Sequence, residues 1–111
     1  MPGVERAVAT DLDGDGLLDV VAVSWLPRNN HPERDKWGLD SVILLRQTAP
    51  GQFARYSLEK GSYDHPTCAV GDLLGDGQLH LVTGNHYFTD PPPEADAITI
   101  WQNVTPRKAK R

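Results

Sequence analysis

The chain has 111 residues, of which 39% are hydrophobic, enough for one ordinary domain with little core to spare. Its formal net charge is −4, and the only concentrated positive charge lies in Arg107, Lys108, Lys110 and Arg111, which excludes a body-wide phosphate-binding surface and with it a nucleic-acid partner. Cys68 is the only cysteine, excluding an internal disulfide, a cysteine-based zinc site and haem attachment, and no apolar run approaches the roughly 18 residues of a membrane span.

Taken in chain order, short β-rich runs are punctuated by Gly, Pro, Asn and Asp, and no stretch carries a 3.6-residue apolar period. The expected fold is all-β. Strands are predicted near residues 5–11, 18–25, 41–48 and 52–58, then near 66–72, 79–85 and 97–103. Leu26 to Leu39 and His86 to Asp96 hold the Pro, Asn and charged residues of surface loops, with Pro91-Pro92-Pro93 favouring an extended polyproline segment. Residues 106–111 read as a solvated basic tail. The opening Met-Pro-Gly-Val-Glu-Arg has no signal-peptide character, so a targeting segment is expected only outside this chain.

The chain carries one unit twice. Ala7 to Asp19 returns as Cys68 to His80, and Ser41 to Gln47 returns as Ala97 to Asn103, which divides the chain into units over 1–60 and 61–105. Four strands are expected in the first unit and three in the second. Val20-Val21-Ala22-Val23 and Val42-Ile43-Leu44-Leu45 are apolar on successive residues, where a strand with one wet face would alternate. Both faces of these sheets are therefore expected to be covered. That pattern suits the stacked blades of a propeller better than a two-sheet sandwich.

The segment Asp11-Leu12-Asp13-Gly14-Asp15-Gly16-Leu17-Leu18-Asp19 places carboxylates at positions 1, 3, 5 and 9 of a nine-residue loop. Ca²⁺ takes six to eight oxygens, and alternate acidic residues on a tight turn can aim several carboxylates at one centre. Gly14 and Gly16 permit the positive φ of such a turn. Leu17 can contribute only its backbone carbonyl. Without a cation, carboxylates crowded in this way repel one another. An EF-hand shares the first half of the motif but needs Glu at position 12, here Ala22, and flanking helices in place of Ala7-Val8-Ala9 and Val20-Val21-Ala22-Val23.

An apolar strand, Asp-x-Asp-Gly-Asp-Gly-x-x-Asp, and a second apolar strand together resemble the FG-GAP and VCBS repeats of integrin α-type β-propellers. The resemblance runs from Arg6 to Val104. It implies two blades, the second incomplete, with a loop between the first two strands of a blade that binds Ca²⁺. Carried over residue by residue, it makes Asp11, Asp13, Asp15 and Asp19 side-chain ligands and Leu17 the carbonyl ligand. It also implies an extracellular or periplasmic scaffold, assembled with further blades of a longer chain or with copies of itself. The second loop departs from the pattern, with Leu74 in place of Asp13 and His80 in place of Asp19, so Asp72 and Asp76 are expected to keep the turn and lose the metal; a softer metal on Asp72, Asp76 and His80 is the rival reading.

The remaining residues favour no chemistry. His31, His65, His80 and His86 lack metal-binding helical spacing and read as loop histidines, with Asp64-His65 and Asn85-His86-Tyr87 kept as loop candidates for binding. Ser24 and Ser41 have no nucleophile-elbow setting. Trp101 is expected in an interblade core, Cys68 as a small buried residue, and Trp37 as the tryptophan best placed for a ligand among Trp25, Trp37 and Trp101. Asn103-Val104-Thr105 fits a glycosylation sequon but precedes Pro106. The leading expectation is a non-enzymatic calcium-stabilised scaffold with a protein or glycan ligand. The alternatives are a carbohydrate-binding lectin, or the non-catalytic propeller of a larger secreted enzyme.

Overall fold

The computed structural model describes residues 1–86 and 97–104. The polyproline run, Tyr87, Thr105 of the sequon and the basic tail lie outside the described residues.

Strands β1 (Val4–Thr10), β2 (Asp19–Ser24), β3 (Asp40–Ala49) and β4 (Gln52–Lys60) form one antiparallel sheet in chain order; β5 (Thr67–Gly71), β6 (His80–Gly84) and β7 (Ile98–Trp101) form a second. The seven predicted strands are all present, and the described residues hold no α-helix. In each sheet neighbouring strands are consecutive in the chain and antiparallel, the meander expected when turn residues separate short β-branched runs. Pro50 and Gly51 close a two-residue hairpin between β3 and β4, with Gly51 at a φ of +75° that a residue with a Cβ rarely adopts.

The two sheets share one apolar layer. Val21, Val23 and Val42 of the first sheet pack with Cys68 and Leu81 of the second, flanked by Val8, Leu12, Leu44, Val70 and Trp101. Full burial of a side chain such as Val21 or Leu81 contributes about 1.5–3 kcal/mol, so this layer holds the sheets together. β1 lies against β5, and the Arg6 Nε–H donates to the Cys68 carbonyl at 2.9 Å. Cys68 is buried and Trp101 joins the layer between sheets, as the sequence implied.

Burial on both faces holds for β2 and the start of β3, but β1, β4 and β7 are largely exposed. A sheet with a single stacked neighbour covers one face only, so the expectation of two covered faces fails for these strands. The segment between β2 and β3 also departs from a plain surface loop. It contains a 3-10 turn, Arg34–Lys36, and Leu26 and Arg34 are buried. Arg34 donates from Nη1 to the Leu26 carbonyl (2.7 Å) and bidentately to Asp64 (2.8 and 3.2 Å), tying the loop to the junction between the units. An Arg in a polar loop gives no sequence signal for burial, which the facing Asp64 and the carbonyls of Leu26 and Tyr63 make tolerable.

Candidate metal centre

The loop from Asp11 to Leu18 joins β1 to β2 and folds around its own carboxylates. Asp11 Oδ1 accepts the N–H of Gly14 (2.9 Å) and Asp15 (3.1 Å), and Oδ2 accepts that of Gly16 (2.9 Å). Asp15 Oδ1 accepts the N–H of Leu17 at 2.9 Å. Gly14 and Gly16 take φ of +74° and +92°, the left-handed geometry that turns the chain back at each step. As a result Asp11, Asp13 and Asp15 each offer an oxygen, all within 4.8 Å of one another.

Asp13 and Asp19 are held from β3. Arg46 donates to Asp13 Oδ2 through Nε (3.0 Å) and Nη2 (2.9 Å). Burial pushes the Asp13 carboxyl up, but Arg46 and the Asp15 N–H outweigh it and hold the group below the usual carboxylate range. Asp19 is buried and accepts the N–H of Leu12 (3.0 Å) and Gln47 (2.9 Å). Its carboxyl is pushed up by burial and by the charges of Asp13 and Asp15, only partly offset by those two N–H bonds. Asp19 therefore stands behind the cluster of Asp11, Asp13 and Asp15, bracing the loop against the end of β3. The donors are all oxygens, and one guanidinium faces four carboxylates. That set fits a hard divalent cation better than a soft one.

The second loop keeps the turn with a different donor set. Asp72 repeats the role of Asp11, accepting the N–H of Asp76 (3.1 Å) and Gly77 (3.0 Å), and Gly75 and Gly77 keep φ of +69° and +80°. The turn is retained as expected. Asp72, Asp76 and His80 also converge within 4.8 Å, yet both ring nitrogens of His80 are engaged. Nδ1 accepts the Asn103 N–H at 2.8 Å, which places the proton on Nε2, and Nε2 lies 2.9 Å from Asp76 Oδ1. This bond holds the Asp76 carboxyl below its usual range. In this tautomer the ring's lone pair is directed at the Asn103 N–H. His80 accepts from Asn103 as Asp19 accepts from Gln47, and cross-links the loop by a proton. It is a fully buried strand residue, not a loop histidine.

A second polar cluster joins the units. His65 Nε2 lies 2.6 Å from Glu59 Oε1 of β4, and Nδ1 lies 2.7 Å from Asn85 Oδ1, just past β6. Asn85 Nδ2 donates to Thr99 of β7 at 2.9 Å. Both imidazole nitrogens face acceptors, an arrangement satisfied by the imidazolium. Burial lowers the His65 pKa, but Glu59 and Asn85 outweigh it and raise the value; burial raises that of Glu59, and His65 and Ser41 bring it below the usual range. Ser41 is fully buried and donates to the same Glu59 oxygen at 2.7 Å, so the carboxylate lies between serine and imidazole. The sequence reading named Asp64-His65 and Asn85 only as loop candidates. His65 bonds to Glu59 and Asn85 while Asp64 bonds to Arg34, and the contacts from Asn85 and Arg34 depend on how distant segments pack, which leaves no local pattern.

The other candidates are dispersed. Trp37 is 40% exposed and packs edge-on to Tyr63 and His31, with ring centroids 6.3 and 6.0 Å away. Ser24 is buried and donates to the Pro2 carbonyl at 2.7 Å. Trp25 pairs by a single bridge with Asp64, and its ring lies 5.9 Å from that of His86. Asn103 Nδ2 donates to the Leu12 carbonyl at 3.1 Å, tying the sequon asparagine into the junction.

Two antiparallel sheets, each beginning with an Asp-turned hairpin and stacked through one apolar layer, define a fragment of a β-propeller. The profile of the FG-GAP-like repeat matches residues 11–83, and the chain belongs to that family. No curated protein matches the chain, and no solved structure matches it. None of the described helices is long and apolar enough to cross a membrane.

Proposed function

We propose that this chain is a calcium-stabilised segment of a β-propeller that serves as a non-catalytic recognition scaffold outside the cytoplasm. The observation that carries this is the convergence of Asp11, Asp13 and Asp15 oxygens within 4.8 Å on one hairpin loop. These residues, with the Leu17 carbonyl, would hold the ion, with Asp19 behind them bracing the loop, and the ion would supply the positive charge that the loop lacks. The ion would pin β1 to β2 beside the shared core and so fix the sheet that further blades stack against. Those blades would come from a longer chain or from copies of this one. An extracellular or periplasmic setting suits such a site, because extracellular calcium modules bind at around 10⁻⁴ to 10⁻³ M.

Thermal melts with Ca²⁺ and with EDTA test the proposal. A higher melting temperature in Ca²⁺, lost in Asp13→Ala, is the expected result; equal melting in both media would sink it. The exposure of Trp37 favours a second reading, a lectin-like face on the loop between β2 and β3. Glycan-array binding lost in Trp37→Ala would support that reading.

A further inference from the structure

The chain carries the same loop twice, and the second copy separates what the turn needs from what its charges need. Val20 lies opposite Leu45 in the first sheet and Leu81 opposite Trp101 in the second, so the repeat aligns the two registers residue for residue. The alignment continues beyond the paired residues. The Gln47 N–H donates to Asp19 at 2.9 Å, and the Asn103 N–H donates to His80 at 2.8 Å. Arg46 and Gln102, each one residue earlier, therefore hold equivalent places, as do Asp13 and Leu74 in the loops. The ion pair of Arg46 with Asp13 thus changes as a pair, to Gln102 and Leu74.

The turn survives that change. Asp72 accepts the N–H of Asp76 and Gly77 through the same two oxygens by which Asp11 accepts those of Asp15 and Gly16. Arg46 is therefore not what builds the turn; it accompanies the additional carboxylate. Its Nε and Nη2 both donate to Asp13 Oδ2, at 3.0 and 2.9 Å, while Asp13 Oδ1 receives a long bond from the Asp15 N–H at 3.3 Å. The guanidinium takes one oxygen of Asp13 and leaves the other weakly held. Asp13 and Arg46 are both largely withdrawn from water, which limits screening of the charge. A divalent ion about 5 Å from a unit positive charge is bound roughly tenfold more weakly even at the dielectric constant of water. Ordering one carboxylate in advance counters this by only about threefold, so repulsion wins.

We propose that Arg46 is a resident counter-charge that sets the cation affinity of the loop from Asp11 to Asp19, neutralising Asp13 in the ion-free protein and opposing the incoming divalent ion. The proposal rests on reading this loop as a calcium site and adds a regulating residue from outside it, on β3. Two properties follow from one side chain. The carboxylate cluster is tolerated without an ion, because Asp13 keeps a partner. The ion is taken up only where it is abundant, because the guanidinium offsets part of the attraction that the carboxylates provide.

Calcium titration calorimetry at neutral pH and fixed ionic strength tests this on the full chain, comparing wild type with Arg46→Gln and Arg46→Lys. The first variant carries the residue of the second unit; the other keeps the charge and loses the paired donors. Arg46→Gln should bind Ca²⁺ about tenfold more tightly than wild type, and Arg46→Lys within about threefold of it. Added salt should narrow the gap between wild type and Arg46→Gln. NMR of the Gly14 and Gly16 amides in EDTA should show the turn intact in both variants, and its loss in Arg46→Gln would make Arg46 part of the turn and overturn the proposal. Wild-type binding that Arg46→Gln leaves unchanged or weakens, or equal tightening by Arg46→Lys, would overturn this proposal alone. No calcium binding by any of the three proteins would remove the calcium reading together with it.

Discussion

Replacing His65 with Gln tests whether the junction between the sheets is an ion pair or only a contact. The imidazole is 3% exposed and bonds to Glu59 at 2.6 Å and to Asn85 at 2.7 Å, so the substitution removes one charge-assisted and one neutral hydrogen bond. Hydrogen bonds to charged groups contribute about 1.5–3 kcal/mol and neutral ones roughly 1 kcal/mol. Glu59 retains 23% side-chain exposure and its bond from Ser41, which softens the loss. The expected cost is about 2–3 kcal/mol, which for a chain of this size lowers the melting temperature by roughly 8–15 °C. The sign of the pH dependence follows from both groups. The raised His65 value makes its contribution full below the ordinary histidine pKa of about 6.5 and lost as pH rises through the folded value. The lowered Glu59 value makes its contribution full above the ordinary glutamate pKa of about 4.3 and lost as pH falls through the folded value. The difference in stability between wild type and His65→Gln should therefore peak near pH 5–6 and shrink on either side. Urea melts across that range measure it, and a difference independent of pH would refute the ion pair.

Three further outcomes are expected. Leu81→Ala, a truncation in the layer shared by both sheets, should cost about 2–5 kcal/mol in urea unfolding, and a cost under about 1 kcal/mol would mean that the layer does not couple them. Burial pushes the Cys68 thiol up, so its reaction with a thiol reagent at neutral pH should be slow in the native state and become fast on unfolding; rapid native labelling would contradict its place in the core. Arg46→Met removes the guanidinium bonded to Asp13, and should lower the melting temperature in EDTA far more than in Ca²⁺; equal losses in both media would show that Arg46 and the ion do not share that carboxylate.

The strands were legible because short β-branched runs bounded by turn residues leave few alternatives, and the repeat aligned the second sheet on the first. The hairpin loops were legible through Gly14, Gly16, Gly75 and Gly77, whose positive φ fixes the turn in both units. The convergence of Asp11, Asp13 and Asp15 followed from their alternation along a curled loop. The position of Asp19 did not, because its oxygens are claimed by the backbone of Leu12 and Gln47, and the second of these belongs to β3. Arg46, Arg34 and the His65 cluster were invisible for the same reason. Each is defined by a partner from another strand or loop, and no local spacing records it. Successive apolar residues overstated burial in β3, whose second half runs past the neighbouring sheet, and the exposure of β1, β4 and β7 depends on how many sheets stack, which periodicity does not encode.

Calcium titration calorimetry on the wild-type chain and on Asp15→Asn tests the central claim most directly. One ion per chain should bind with a dissociation constant on the order of 10⁻⁴ to 10⁻³ M, and at a hundredfold excess over that constant it should add about 2.7 kcal/mol of stability. The loss of a carboxylate in Asp15→Asn should abolish the heat, while His80→Gln in the second loop should leave the stoichiometry at one. No binding by the wild type, or undiminished binding by Asp15→Asn, would contradict the claim that the loop from Asp11 to Asp19 is a calcium site.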